Sequence, residues 1–81
     1  MKANNQPWTE RTRQLTRELF QEMSINPITH SLHFKHRDGR YARIRLDDLL
    51  AQRATLVIVP GQEVIIFENI ESLIDAGWVV D

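Results

Sequence analysis

The first hydrophobic pattern in the chain has the four-residue spacing of an amphipathic helix. Leu15, Leu19 and Met23 recur every four residues, and Phe20 widens the apolar stripe. Thr9 precedes this pattern as a candidate N-cap, because its hydroxyl can accept a hydrogen bond from an unpaired N–H of the first turn. The remaining positions are charged or polar, so we expect the helix to pack its stripe against another element.

The pattern changes to alternation of apolar and polar positions over residues 30–47, which predicts a β-hairpin. A two-residue Asp-Gly turn would place Phe34 opposite Arg43 and every other apolar side chain opposite a cation. A three-residue loop over residues 37–39, with its glycine in the left-handed conformation, places Phe34 opposite Ala42 instead. We predict the second register, because it puts the apolar side chains on one face and the cations on the other.

The rest of the chain predicts three more strands and two short helical segments. The continuous apolar runs 54–59 and 64–67 are typical of strands buried on both faces. Residues 70–74 have helical spacing, with Asn69 as a cap and Gly77 as a stop signal. A helical turn at residues 47–52 and a last strand at residues 78–80 complete the order.

The predicted fold class is therefore α+β and mainly β. An N-terminal helix is followed by about five short antiparallel strands, which form a small barrel or a bent sheet. The alternative is an open antiparallel sheet with the first and third helical segments on one face. Residues 1–8 are predicted to be a disordered N-terminal tail, and residues 9–81 a single domain.

Length and composition restrict the class of protein. The chain has 81 residues, no cysteine and no apolar run long enough to span a membrane. Its N-terminus lacks the apolar core of a signal peptide, and the absence of cysteine fits a reducing compartment. We therefore expect a cytoplasmic protein that does not associate with membranes. A core this small leaves little room for a deep catalytic cleft, which favours a non-enzymatic module.

The net charge of −1 hides two halves of opposite charge. Residues 1–45 carry nine basic and four acidic side chains, a net charge of +5, whereas residues 46–81 carry one basic and seven acidic side chains, a net charge of −6. Such asymmetry is typical of a surface for nucleic acid or for a charged partner. It is equally compatible with a fold that sets its basic half against its acidic half.

The outward face of the predicted hairpin is the candidate binding site. Like charges on neighbouring strands repel one another, so this cationic cluster requires compensation. Phosphates of RNA or DNA could supply it, with bases stacked on an aromatic ring, and so could the carboxylates of an acidic protein partner. Carboxylates of the same chain, at Glu63, Glu68 or Glu71, are the third possibility. The candidate site residues are His33, Lys35, Arg37, Tyr41, Arg43 and Arg45.

No catalytic or metal-binding motif stands out in the sequence. His30, His33 and His36 have a spacing of three, but on a strand this spacing alternates faces and separates the outer two by about 20 Å. The adjacent carboxylates Asp47 and Asp48 point apart on a helical turn, and no partner base is evident. We therefore expect no enzymatic activity, no metal site and no cofactor.

Three segments resemble small Sm-like barrels of the Rho-binding antiterminator type. They are Leu32-His33-Phe34-Lys35-His36-Arg37-Asp38-Gly39, Asp47-Asp48-Leu49-Leu50, and Glu63-Val64-Ile65-Ile66-Phe67-Glu68-Asn69-Ile70-Glu71-Ser72. The resemblance covers residues 10–80 loosely and implies a helix-first Sm/SH3-like barrel. That family presents an acidic surface to a basic RNA-binding site, whereas the early strands of this chain are basic. Only the barrel shape is therefore carried over from the resemblance, and no functional residue.

Two functional hypotheses follow from these observations. The first is a small non-enzymatic binding or regulatory protein that contacts RNA or DNA through the basic hairpin face. The second is an adaptor or subunit of a protein complex, which would use an acidic surface, the helix stripe or an uncovered strand edge. A homo-oligomer formed by pairing of strand edges is a variant of the second hypothesis.

Overall fold

A computed structural model describes residues 8–81 of the chain. The first helix has 12 residues, and every other helix or strand of this part of the chain has six or fewer. The elements in chain order are α1 (Glu10–Gln21), β1 (Ser31–His36), β2 (Tyr41–Arg45), α2 (Leu46–Leu50), β3 (Thr55–Val59), β4 (Val64–Ile66), α3 (Ile70–Asp75) and β5 (Trp78–Val80).

The five strands form one antiparallel sheet in the order β4-β3-β2-β1-β5. The predicted fold class, an N-terminal helix followed by five antiparallel strands, is therefore confirmed. The sheet is open: β4 and β5 are its two edges, and within residues 8–81 they do not pair with each other to close a barrel.

The hairpin between β1 and β2 has the predicted register. Phe34 lies opposite Ala42, and the pairing of every other residue of the two strands follows from this one. Gly39 has a φ of +98°, a conformation that side-chain-bearing residues rarely adopt. The loop is closed by its own backbone, since the N–H of Gly39 donates to the carbonyl of His36 at 3.0 Å. The apolar and cationic positions are thereby separated onto opposite faces of the sheet.

One face of the sheet carries the hydrophobic core. The even-numbered side chains of β1 and β2 point into it, and all three helices contribute apolar side chains to the same cluster. Burial of these side chains removes apolar surface from water and is the main stabilising contribution to the fold. The largest fully buried apolar side chains are Trp78, Phe34, Ile44, Leu49, Leu56 and Leu73. We call this side the core face, and the opposite side the outer face.

Helix α1 uses only part of the predicted apolar stripe to contact the core. Phe20 is 5% exposed and Leu19 packs against the core cluster, whereas Leu15 and Met23 are exposed to 46% and 42%. Thr16, which is not part of the stripe, is fully buried. The helix is rotated because the hydroxyl of Thr16 accepts a hydrogen bond from the buried N–H of Val80 at 3.1 Å. The N–H of Val80 points away from β1, at the edge of the sheet, where no other strand of the described residues pairs with β5. The hydroxyl of Thr16 therefore supplies the acceptor that a strand would otherwise provide.

Both predicted helix caps are confirmed. The side chain of Thr9 accepts from the N–H of Thr12 at the start of α1, and that of Asn69 accepts from the N–H of Ser72 at the start of α3. Gly77 has a φ of +105° and follows α3 directly, as its stop signal predicted. Local hydrogen bonding thus determines where these helices begin and end.

Strand β4 is not buried on both faces as predicted. Val64 and Ile66 are exposed to 56% and 78%. The two side chains lie on the outer face, which none of the helices formed by residues 8–81 covers, since α1, α2 and α3 all pack on the core face. In β3 the prediction holds better, because Leu56, Val57 and Ile58 are all buried.

The predicted N-terminal tail comprises residues 1–8. Of these only Trp8 belongs to the described residues, and residues 1–7 lie outside them. The indole Nε1–H of Trp8 donates to the carbonyl oxygen of Gly77 at 2.8 Å, so this residue contacts the end of α3. None of the helices formed by residues 8–81 has the length and hydropathy that a membrane span requires.

Candidate functional site

The outer face carries five of the six candidate binding residues. His33 and Lys35 come from β1 and lie opposite Arg43 and Tyr41 of β2, respectively, and Arg45 follows at the end of β2. They share this face because side chains alternate along a strand and the even-numbered neighbours are committed to the core. The predicted register therefore brings four basic side chains and one aromatic ring together.

Arg37 is separated from the other candidates. It lies in the loop after β1, where its backbone N–H donates to the carbonyl of Gly77 at 3.3 Å. Its side chain lines a small cleft together with Trp8 and Asp75, at the β5 end of the sheet. Arg37 thus lines a cleft apart from the groove that three of the other candidates line, and it lies beyond the last residue of β1 that pairs with β2.

The side chain of Lys35 also points toward the β5 edge. Its ammonium lies 5.4 Å from the ring centroid of Trp8, within the range of a cation–π interaction. Trp8 supplies no carboxylate to offset the charge of Lys35. This charge adds to the positive potential of the outer face at the side nearest β5.

None of the basic candidates is neutralised by an ion pair within residues 8–81. The ion pairs of the described chain join other residues, and the one involving Glu71 is made with Arg17 of α1 at 2.6 Å. Glu63 and Glu68 make no ion pair with any described residue. The third possibility, compensation of the hairpin cations by ion pairs with these three glutamates, is therefore not observed within residues 8–81.

Arg43 shows the lack of a partner most clearly. Its Nε atom is buried and makes no hydrogen bond to any of the described residues. The imidazole of the neighbouring His33 is occupied differently, with its Nε2 2.7 Å from the hydroxyl oxygen of Thr29. Arg43 lines the groove described below and makes no ion pair within residues 8–81, which makes it a candidate contact for an anion.

A groove of about 340 Å³ crosses the outer face from β1 to β3. Its basic side is formed by His33, Tyr41 and Arg43, and its apolar side by Val57 and Val59. The two sides meet because β2 and β3 are neighbours, with Arg43 opposite Val57 and Tyr41 opposite Val59. The groove thus joins cations, an aromatic ring and an apolar floor in one concave surface.

Seven residues that line the groove were not among the predicted site residues: Phe34, Ala42, Val57, Val59, Pro60, Gln62 and Asp81. The alternation of β3 could have placed the two valines on the outer face. No pattern in the sequence indicated Gln62 or Asp81. Both lie outside the strands, and the folding of the sheet brings them to the groove. Their side chains add an amide and a carboxylate to its rim.

The three histidines do not converge. His33 lies on the outer face, whereas His36 packs edge-on against Trp78 with ring centroids 4.8 Å apart and has its Nε2 2.7 Å from the carbonyl oxygen of Ala76. No group of three or more histidine, aspartate or glutamate side chains among residues 8–81 is arranged to hold a metal ion. The groove is therefore the feature of the described chain that best fits a binding site.

Comparison of the chain with protein-family models, with curated proteins and with solved structures found no match.

Proposed function

We propose that this protein is a non-enzymatic binding module that contacts nucleic acid with the outer face of its sheet. The observation that carries the proposal is the set of basic side chains around the groove, none of which has a carboxylate partner within residues 8–81. A phosphate backbone supplies a row of acceptors for such a surface, and release of its counterions favours the complex.

The position of the cations supports this proposal. Lys35, Arg43 and Arg45 lie on adjacent strands on the same face, while the acidic side chain of Glu71 is held by Arg17 on the helical side. Glu71 is therefore not available to offset these cations. A surface of this kind attracts a polyanion and orients it during encounter.

The surroundings of His33 support binding over catalysis. Its Nε2 and the Thr29 hydroxyl form a pair of the kind that hydrolases use, at 2.7 Å. In such enzymes a third group orients the histidine. Within residues 8–81 no carboxylate bonds to His33, and both members of the pair are solvent-accessible. We therefore interpret the pair as a surface hydrogen bond that holds the imidazole against the groove.

The proposal is tested by titrating the full chain into a fluorescently labelled oligonucleotide at several salt concentrations. We expect the logarithm of the association constant to fall linearly with the logarithm of salt concentration, with a slope of about −0.7 to −0.9 per phosphate contact. Arg43→Ala is expected to weaken binding and to reduce the magnitude of the slope by about one contact.

Arg11→Ala is the matched control for Arg43→Ala. Arg11 is an exposed arginine of α1, on the helical side of the sheet, and its removal changes the net charge of the protein by the same amount. Equal effects of the two substitutions would mean that net charge acts without a defined surface. Absence of salt-dependent binding to either RNA or DNA at low ionic strength would refute the proposal.

A second candidate function, as a self-associating subunit, is favoured by the open edge of β4. The carbonyl of Glu63 accepts a hydrogen bond from β3 at 2.7 Å, and the N–H of Phe67 donates toward β3 at 2.9 Å. Because backbone groups alternate along a strand, those of Val64 and Ile66 point away from the sheet. Antiparallel pairing of Val64 with Ile66 of a second copy would satisfy these groups and continue the sheet.

The charges near β4 permit this pairing. In the register that pairs Val64 with Ile66 of a second copy, Glu63 lies opposite Phe67 of that copy, so no carboxylates face each other directly. The expected result is a dimer in light scattering whose population depends on protein concentration. Ile66→Lys should abolish the dimer, because a charged side chain on an edge strand disfavours pairing. A monomer at all concentrations excludes this candidate.

A further inference from the structure

We infer that the groove on the outer face binds one unstacked base of a single-stranded nucleic acid, with Tyr41 as its stacking platform. The inference rests on the proposed nucleic-acid binding and specifies which form of nucleic acid the site takes. It starts from the position of the groove, which lies where the cationic half of the outer face meets its apolar half.

Tyr41 has the exposure and the neighbours that a stacking platform requires. Its side chain is 55% exposed, although it lines the groove, so one face of the ring is accessible. Arg43 follows two residues later on the same strand face, with a buried Nε that lacks an acceptor within residues 8–81. If a base stacks on the ring of Tyr41, the phosphate of the same nucleotide would lie near the guanidinium of Arg43. Every base has a π-face that can stack in this way.

The floor of the groove is apolar. Val57 is 3% exposed and lies beneath the groove, while Val59 is 43% exposed and lies opposite Tyr41 on the neighbouring strand. A phosphate gains nothing from such a floor, but the flat face of a base buries apolar area against it. The site thus has separate places for the two parts of a nucleotide.

The rim of the groove distinguishes a base from an acidic side chain. Asp81 and Gln62 both line the rim. The carboxylate of Asp81 can accept hydrogen bonds from the exocyclic amino group of a base, a donor that an aspartate or glutamate side chain lacks. The amide of Gln62 can donate or accept. Hydrogen bonding at the rim therefore favours a base over an acidic side chain at this site.

The size of the groove distinguishes single strands from duplexes. A volume of about 340 Å³ is at the low end of the range for small-ligand sites, which fits one small planar group and its sugar. In a duplex the bases are stacked and paired, and the energy needed to extrude one would oppose binding. The inferred ligand is therefore a single strand with a base free to leave its neighbours.

The test compares three fluorescein-labelled DNA probes of about eight nucleotides, a length within the usual footprint of one small single-strand-binding fold. They are a deoxyadenosine oligonucleotide, an abasic strand of equal length, and the duplex of the first. We expect the full chain to bind the oligonucleotide about tenfold more tightly than the abasic strand, because only the former offers bases for stacking. The duplex is expected to bind more weakly than the single strand.

Two substitutions of Tyr41 assign the effect to its ring. Tyr41→Ala should reduce affinity for the deoxyadenosine oligonucleotide about tenfold while leaving affinity for the abasic strand and the salt slope unchanged. Tyr41→Phe keeps the ring and should bind as the unmodified protein does. Ile28→Ala, at an apolar residue that is 87% exposed and outside the groove, is the control for a general loss of apolar surface.

The possible failures are distinguishable. If all three probes bind equally and with the same salt slope, the base-binding inference is refuted while nucleic-acid binding by the outer face stands. If no probe binds, the proposed function itself is refuted. If Tyr41→Ala weakens binding to the abasic strand as much as to the normal strand, Tyr41 acts on the fold and not on a base, which the unfolding curve of the variant would also show.

Discussion

The hydrogen bond between helix α1 and the edge of β5 allows a quantitative prediction about stability. Thr16 is fully buried, and its hydroxyl accepts from the N–H of Val80 at 3.1 Å while donating to the carbonyl of Thr12 at 2.8 Å. We consider Thr16→Val, which replaces the hydroxyl with a methyl group of similar size. The N–H of Val80 then remains buried without any acceptor.

The expected loss of stability follows from that single donor. An unsatisfied buried N–H costs about 1–3 kcal/mol, and valine and threonine have similar helix propensities, so the loss should be about 2 kcal/mol. In a domain of this size about 1 kcal/mol corresponds to a change of about 4–8 °C in the melting temperature. Thr16→Val should therefore melt at least about 8 °C below the unmodified protein.

Two further variants separate the hydrogen bond from packing. Thr16→Ser retains the hydroxyl and removes one buried methyl group, for an expected loss of about 1 kcal/mol. Leu15→Ala, at the adjacent and 46% exposed position, should change stability by less than about 0.5 kcal/mol. Urea denaturation of the three variants gives the free energies, and amide hydrogen exchange of Val80 reports directly on the edge of β5.

The reasoning would be refuted by either of two results. The first is a Thr16→Val variant as stable as the unmodified protein, with the exchange of the Val80 amide unchanged. The second is a Thr16→Ser variant that loses as much stability as Thr16→Val, which would assign the effect to the lost methyl group and not to the hydroxyl.

Two other structural predictions concern a glycine and an ion pair. Gly77→Ala should destabilise the protein more than Gly39→Ala in urea denaturation. Both glycines have a positive φ. A Cβ at Gly77 would lie 2.6 Å from a side-chain atom of the neighbouring strand, whereas a Cβ at Gly39 would meet nothing within 4 Å. Equal losses would contradict the close approach. The hydrogen bond from Arg17 is the main reason why the pKa of Glu10 lies below its ordinary value of 4.5; burial opposes it, and the charges of Arg17 and Arg13 lower the pKa further. A lowered pKa in the folded state stabilises the protein at pH values above the pKa of the unfolded state. Glu10→Gln should therefore be less stable than the unmodified protein at neutral pH, and the difference in stability should disappear as the pH falls below about 4.5. A difference in stability that persists in acid would refute this assignment.

The hairpin was predictable from sequence for a clear reason. Its two strands alternate strongly between apolar and cationic positions, so a slip of one residue would have placed Phe34 opposite Arg43. Only the three-residue loop ending at Gly39 avoids this conflict. Five of the six candidate site residues followed from the same alternation, and Arg37 was lost because it lies beyond the last paired residue of β1.

Apolar spacing predicted only part of the face that α1 presents to the sheet: it identified Phe20 but not Thr16. Threonine is ordinarily a surface residue of a helix, and nothing near Thr16 in the sequence indicates that it is fully buried. Its partner, Val80, is separated from it by 64 residues. The N–H of Val80 needs an acceptor from outside the sheet because β5 is an edge strand, and the orientation of α1 places the Thr16 hydroxyl there.

The composition of the groove shows the same division. The sequence predicted the basic side through Tyr41 and Arg43, but the apolar side and the rim depend on β3 lying next to β2 and on Asp81 returning beside β1. The exposure of Val64 and Ile66 likewise depends on all helices packing on the other face.

The sequence by itself determined the features that arise between near neighbours: the helix caps, the hairpin register, the loop glycine, and the separation of apolar from cationic side chains. These follow from local hydrogen bonding and from the periods of helices and strands, which act over a few residues. Tertiary structure alone decided which face of the sheet the helices leave uncovered, which edge of the sheet α1 covers and which side chains line the groove. Those outcomes depend on burial and hydrogen bonding between segments far apart in the chain, and they exist only once the sheet and its helices have assembled.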